Sequence, residues 1–430
     1  MRTIISHKPK SIANFKDKLL VWSLQFKEVV WLDSNKHFQP FGSYDAILAV
    51  DAFTSIKTDY HQAFEKLKEY HSVTNDWLFG YLTYDLKNDL EALKSDNFDG
   101  LDFPDLFFFQ PKKLFLFKEK TVEIHYLKML DDELETDLKI VQQTVDVPTE
   151  FPKDAISIKM RIHKDDYFRK LETLLAHIHR GDIYEANFCQ EFYTENTSIN
   201  PLGTYHLLNK ISRPPFATFL KCDINYLLSA SPERYLKKEG NKIISQPIKG
   251  TARRSDNILE DQKLKHQLEY SEKERSENIM IVDLVRNDLS HTAIKGSVKI
   301  EELCKVHTFE QVHQMISTIT SKIDEKTHPV DVIKTTFPMG SMTGAPKISA
   351  MKIIEELEET KRGLYSGAVG YFTPEGNFDF NVIIRSILYN AEKKYVSFSV
   401  GSAVTAKSNP RDEYEECLVK AKAMREVLEN

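Results

Sequence analysis

Cysteine is scarce, with Cys189, Cys222, Cys304 and Cys417 the only four in 430 residues. They lie far apart and never in C-x-x-C spacing, which argues against a disulfide framework and fits reduced thiols of a cytoplasmic protein. Long blocks of positive charge are also missing. Lys and Arg (58) are interspersed with Asp and Glu (64), for a net charge of −6, so no nucleic-acid footprint is expected and a small anionic ligand would need a local pocket of donors. No apolar run approaches a membrane span, and the opening Met1-Arg2-Thr3-Ile4-Ile5-Ser6-His7-Lys8 lacks the apolar core of a signal peptide. Repeats and low-complexity tracts are absent too. What is present is a 41% hydrophobic composition, enough for the sizeable core of one large enzyme fold or of two or three ordinary domains.

Residues 1 to about 128 mix short apolar strands, such as 114–117, with helical patches and few recognisable sites. An acidic stretch at 130–137 leads through Pro148 and Pro152. A helix and then a linker are expected there, dividing an N-terminal subdomain (1–150) that packs on a catalytic domain (151–430). Beyond 155, strands end in Gly or Pro turns and follow one another as hairpins rather than as βαβ units. That predicts an α+β protein with a large twisted antiparallel sheet flanked by helices. Segments 365–372, 380–388 and 395–405 read as three meander strands, the first two joined by the turn Pro374-Glu375-Gly376-Asn377.

Lys249, in Ser245-Gln246-Pro247-Ile248-Lys249-Gly250-Thr251, needs an explanation, because a lysine in an apolar strand is either half of an ion pair or an amine able to attack carbon. The Lys238-Glu239-Gly240-Asn241 turn defines a hairpin whose paired numbers sum to 481 or 482. Lys249 then falls opposite Pro232 or Glu233, about 5 Å away. On the hairpin alone a cross-strand ion pair is the more ordinary reading. Ser271-x-x-Glu274 is a capping box opening a helix in which Glu277 stands just before an apolar run and so enters the protein. Glu413-x-x-Glu416 opens the last helix after Asn409-Pro410, with Lys420 on the same stripe. The two E-x-x-E pairs are either ordinary charged faces or a shared Mg²⁺ site. The loop Phe337-Pro338-Met339-Gly340-Ser341-Met342-Thr343-Gly344-Ala345-Pro346-Lys347 is either a plain turn and cap or an anion site at a helix N-terminus, and its spacing is not that of a Walker A loop. Arg385, set in a Val- and Ile-rich segment, is expected to meet an anion or a buried acid.

Taken together, these segments resemble the chorismate-utilising enzymes over roughly residues 155–428. The resemblance rests on Gly181-Asp182-Ile183-Tyr184-Glu185-Ala186-Asn187, Ser231-Pro232-Glu233-Arg234, Pro247-Ile248-Lys249-Gly250-Thr251, Arg275-Ser276-Glu277-Asn278 through Asp288, 337–347, and Asp412-Glu413-Tyr414-Glu415-Glu416, in that order. It implies an anthranilate synthase-like fold. Alanine in place of the lysine marks the anthranilate-forming branch, whereas Pro-Ile-Lys-Gly-Thr marks the branch that makes 4-amino-4-deoxychorismate for p-aminobenzoate and folate without releasing pyruvate.

On that resemblance Lys249 is the nucleophile toward C2 of chorismate and Glu233 the acid that protonates the departing C4 hydroxyl. Asn187 stands where hydrating relatives carry a lysine base. Glu277 and Glu416, supported by Glu274 and Glu413, hold Mg²⁺. Tyr365, Arg385, Lys420, the backbone near Gly401, and Thr343 and Gly344 of the glycine loop bind substrate. Gln314 takes the place of a family histidine. The implied nucleophile must lose its proton, so Lys249 is expected to titrate near 7 beside a protonated Glu233. Glutamine use would need a separate amidotransferase subunit, since no cysteine stands in a Gly-x-Cys-x-Gly context. The alternatives are an anthranilate synthase component and a catalytically silent scaffold of the same fold.

Overall fold

The computed structural model describes residues 1–37, 41–145, 156–309 and 312–429. Its strands alternate between two buried faces. In Glu28–Asp33, Val29 and Trp31 enter one core and Val30 another; in Leu106–Lys118, Phe115 and Phe117 enter the first and Leu114 and Leu116 the second. Strands buried on both sides read as unbroken apolar runs, which explains the 114–117 segment.

Every pairing between named strands is antiparallel. One sheet starts at Glu185–Thr194 and runs through Tyr395–Thr405, Ser386–Asn390, Asn225–Ser231, Phe216–Cys222, Glu28–Asp33 and Ala46–Thr58 to Leu106–Lys118, Thr121–Leu127 and Arg2–His7. The long Leu106–Lys118 strand also begins a second sheet. This continues through Leu78–Leu82, Ala368–Phe372, Phe378–Val382, Arg234–Glu239 and Lys242–Gln246 to Val312–Lys322, which carries Ile248–Arg253 and Lys299–Thr308. Phe79, Tyr81, Val369 and Tyr371 of the second sheet share a core with Val30, Leu220 and Leu388 of the first, so the sheets face each other. Helices cover both outer faces: Lys164–Arg180, Pro201–Ser212 and Pro410–Glu429 on the first, Ala63–Thr74, Glu272–Ser290 and Pro329–Thr336 on the second.

The expected boundary at about 150 lies in 146–155, outside the described residues. Strands from either side of it are hydrogen-bonded together, Val29 with Lys221 and Gly80 with Gly370. The expected 380–388 strand is two strands instead. Phe378–Val382 belongs to the second sheet and Ser386–Asn390 to the first, and the chain crosses between them at Arg385, whose φ is 53°. The Ser231-Pro232-Glu233-Arg234 segment makes the matching crossing, from Asn225–Ser231 to Arg234–Glu239. The two crossings are tied by Ala230 N–H to Arg385 O (3.0 Å) and Val382 N–H to Glu233 O (3.0 Å). Among the described residues, no helix is long and apolar enough to cross a membrane.

Gly80 lies between two paired strands, where a β-carbon would stand 1.9 Å from the Phe107 carbonyl oxygen. Gly80→Ala is therefore expected to cost ~1–3 kcal/mol by overpacking, read as a lower urea midpoint with an unchanged slope.

Candidate active site

The Glu233 crossing borders a cleft that Pro247, Asp288 and Ser341 also line. The hairpin there forms as expected near its turn, with Glu239 opposite Lys242 and Lys238 opposite Ile243, but the ladder ends at Arg234 and Gln246. Pro247 has no N–H to continue it, and Ile248–Arg253 pairs only with Val312–Lys322. Lys249 is thus not the cross-strand partner of Glu233. Its ammonium reaches across the cleft to the other sheet, where Glu185 Oε1 lies 3.3 Å away. Gly250, at φ +84°, turns the strand immediately after the lysine and lets the Glu274 carboxylate approach to where a β-carbon would be.

Glu233 remains close by and is 4% exposed. Burial raises its carboxyl to about 7, with the neighbouring Ser341 hydroxyl, the charge of Lys249 and the Ile248 N–H acting the other way. The expectation for Lys249 is reversed. Burial favours its neutral form, but Glu185, Glu277 and Glu233 outweigh burial and hold the ammonium above its ordinary value.

The two E-x-x-E helices converge. Ser271 accepts from Glu274 N–H (3.4 Å) and Asn409 accepts from Arg411 N–H (2.9 Å), so both helix starts are capped as read. Glu277 and Glu413 are 7% and 1% exposed, and each has one buried carboxylate oxygen without a donor. Burial lifts Glu277 to about 7 and also raises Glu274. For Glu416 burial acts upward too, but Lys420, 2.6 Å away, brings it below its ordinary value. Lys273 stands among the four acids, 3.6 Å from Glu413. Among the described residues no three His, Cys, Asp or Glu side chains gather tightly enough to cage an ion. Mg²⁺ needs no such cage, since it commonly takes one or two carboxylates and completes its shell with water and substrate oxygens. The donor-free oxygens of Glu277 and Glu413 and the all-carboxylate set fit that ion.

Of the remaining predicted residues, Asn187, Gly344 and Gly401 stand on or against strands of the first sheet and Gln314 on the second. The Arg385 side chain makes no hydrogen bond or ion pair among the described residues, and burial lowers its pKa, so its guanidinium is available to an anion. Tyr365 is buried near it, its hydroxyl taking the Cys189 thiol at 3.8 Å. Lys420 also donates to the Gly401 carbonyl (2.8 Å). Asn187 is buried on the Glu185 strand, with Nδ2 3.6 Å from Cys189 Sγ. Thr343 is fully buried, its hydroxyl turned to the Met339 and Gly340 carbonyls, and Gly344 pairs with Ala186 as a short strand edge. The glycine loop therefore buttresses the Glu185 strand, and its Ser341 addresses Glu233. Gln314 is buried opposite Thr251.

Sequence reading missed three groups here. Glu185 was quoted in a motif but given no role, since nothing local links it to Lys249. Lys273 lies within the Ser271-x-x-Glu274 box, and its sequence position gives no sign that it meets Glu413 of the last helix. Glu358 and Arg362, spaced i, i+4, form a buried pair that braces the strand and the loop. Arg362 donates to Glu358 Oε1 and Oε2 (2.6 and 2.9 Å), to Met342 O (2.6 Å) and to Asn187 O (2.6 Å), while Cys189 N–H donates to Glu358 (2.9 Å).

Residues 25–426 match the family described as chorismate binding enzyme, and the chain belongs to that family. An aminodeoxychorismate synthase of Streptomyces griseus is 40% identical over 274 residues, 63% of this chain and 37% of that protein. Aminodeoxychorismate synthase component 1 of Bacillus subtilis (strain 168) is 30% identical over 361 residues, 81% of this chain and 76% of that protein. This chain therefore spans well under two thirds of the length of the Streptomyces relative. The crystal structure of anthranilate synthase component I from Streptococcus pneumoniae TIGR4 has the same fold, with a TM-score of 0.76 at 25% identity, covering 90% of this chain and 94% of that one. The α+β architecture and the family read from the motifs are thus both borne out.

Because Glu233 holds its proton more tightly when folded than its ordinary 4.5 allows, its contribution turns unfavourable as pH rises from 4.5 through about 7. Glu233→Gln cannot ionise. It is expected to be more stable than the parent by ~1–3 kcal/mol at pH 8, with the gap narrowing by pH 5, as measured by urea unfolding at both pH values.

Proposed function

We propose that this protein aminates chorismate at C4 to give 4-amino-4-deoxychorismate, a step toward p-aminobenzoate and folate. The observation that carries this reading is a half-buried lysine, Lys249, whose ammonium reaches Glu185 of the opposite sheet in the Pro-Ile-Lys-Gly-Thr context, with a protonatable Glu233 beside it. The names of the Streptomyces and Bacillus relatives support it. The lysine amine attacks C2, the ring double bonds shift, and the C4 hydroxyl leaves with the proton of Glu233. Ammonia then adds at C4 as the bond from C2 to the lysine nitrogen breaks. The enolpyruvyl group is untouched, so no pyruvate forms.

Arg385 is suited to one substrate carboxylate, with Tyr365 and Lys420 on the same side. Glu277 and Glu416, with Glu274 and Glu413 adjacent, would hold Mg²⁺. When bound, the ion supplies positive charge for the ring carboxylate among acids that would otherwise repel it. Asn187 offers no base for water, which favours amination over hydration. All four cysteines are buried, consistent with ammonia arriving from a separate glutamine amidotransferase subunit. The "component 1" in the name of the Bacillus relative supports the same division of labour.

Purified protein given chorismate, Mg²⁺ and ammonium is expected to form 4-amino-4-deoxychorismate, detected by mass, with no pyruvate. Lys249→Ala is expected to lose this activity while still binding chorismate. Anthranilate accompanied by pyruvate would overturn the reading in favour of anthranilate synthase, and absence of turnover even with an added amidotransferase would favour a silent scaffold.

A further inference from the structure

A nucleophilic lysine must shed a proton before it attacks and regain one after it leaves. The charged groups around Lys249 come from four elements: Glu185 on Glu185–Thr194, Glu274 and Glu277 on Glu272–Ser290, Glu233 at the sheet crossing, and Glu416 on Pro410–Glu429. Among the described residues only Glu185 is in ion-pair contact with it, at 3.3 Å. Glu233 makes no ion pair with Lys249 within 4 Å among the described residues and is needed at the C4 oxygen. Glu274, Glu277 and Glu416 belong to the acid cluster suited to Mg²⁺.

Glu185 is also built to stay where it is. It is 1% exposed, and its backbone is paired on both sides, with Thr405 and with Ala345. Its second oxygen, Oε2, is buried with no donor. A carboxylate with one oxygen on the ammonium and the other unsatisfied, away from bulk water, has acceptor capacity left for a further hydrogen-bearing group. No neighbour on its strand can substitute, since Asn187 carries no base.

We propose that Glu185 is the proton acceptor and donor for Lys249, an inference that rests on the amination reading above. Before attack, one Nζ proton passes to the Glu185 carboxylate, leaving a neutral amine. The amine forms its bond to C2, the bond between C4 and oxygen breaks, and the hydroxyl departs as water with the proton of Glu233. Ammonia adds at C4, and the bond between the lysine nitrogen and C2 breaks with its electron pair returning to nitrogen. Glu185 gives its proton back to the free amine, and the new C4 ammonium returns one proton to Glu233. Chorismate and ammonia become 4-amino-4-deoxychorismate and water, and every protein group ends as it began.

Glu185→Gln keeps an oxygen acceptor of the same size beside Lys249 but cannot take up the proton. Its kcat for amination is expected to fall by ~10²–10⁴-fold. The chorismate adduct on Lys249, followed by intact mass without ammonium, is expected to form correspondingly more slowly, with KM for chorismate changed only a few-fold. Glu185→Asp retains a carboxylate and is expected to keep at least ~10 times the activity of the Gln variant.

If Glu185 does no more than hold the ammonium, removing its charge frees the amine. Glu185→Gln would then match or exceed the parent, and the acid limb of its pH profile would move to lower pH. Either that result or equal activity of the Asp and Gln variants overturns the relay and leaves the amination reading intact. Failure of the parent to form 4-amino-4-deoxychorismate would overturn that reading, and the relay with it.

Discussion

The buried pair of Arg362 and Glu358 holds the two walls of the site in register. One guanidinium spans a carboxylate, the Met342 carbonyl of the glycine loop and the Asn187 carbonyl of the Glu185 strand, while lying 4.5 Å over the Tyr84 ring. Breaking such a pair by removing one partner leaves an uncompensated charge, typically costing ~3–5 kcal/mol. Its geometry matters more than its energy here. Glu185, Asn187, Ser341 and Thr343 all take their positions from backbone that this pair fixes.

The cleft gathers acids at positions that oppose one another. Glu185, Glu233, Glu274, Glu277, Glu413 and Glu416 meet Lys249, Lys273, Lys420 and Arg385 in a region that is dry at Glu185, Glu233, Glu277 and Glu413 and open to water at Lys273 and Glu416. Two carboxyls, Glu233 and Glu277, are raised to about 7 by burial, so the folded protein sacrifices stability to keep ionisable groups dry. The crossings make this possible. At Glu233 and Arg385 the chain leaves one sheet for the other, so neither residue belongs to a strand of either sheet.

Much of this was legible in the sequence, for identifiable reasons. Gly240 and Gly376 fixed two hairpin turns, and Ser271 and Asn409 fixed two helix starts, because turn and cap chemistry is local. Lys249 was singled out because an amine in an apolar strand needs a cause. The error lay in extending the hairpin past Pro247, where the strand exchanges partners. Glu185 was invisible as the lysine's partner because it lies on the opposite sheet, and no periodicity relates residues 185 and 249. Arg385 was read as mid-strand because apolar residues on both sides of it belong to two different sheets, and a change of sheet leaves no mark on hydrophobic pattern. The ammonium's pKa was misjudged because burial was weighed without counting the anions that three other elements bring to it.

The interleaving of early and late strands bears on how the chain reaches this state during synthesis. Glu28–Asp33 has one edge satisfied by Ala46–Thr58, but its other edge waits for Phe216–Cys222, and Leu78–Leu82 waits for Ala368–Phe372. A ribosome releasing the N-terminal third thus exposes two apolar strand edges whose partners do not yet exist, the kind of non-local pairing that slows folding and invites association with other chains. Completion of the first sheet must follow emergence of residue 405, and that of the second must follow residue 382, so the cleft is among the last parts of the molecule to be assembled.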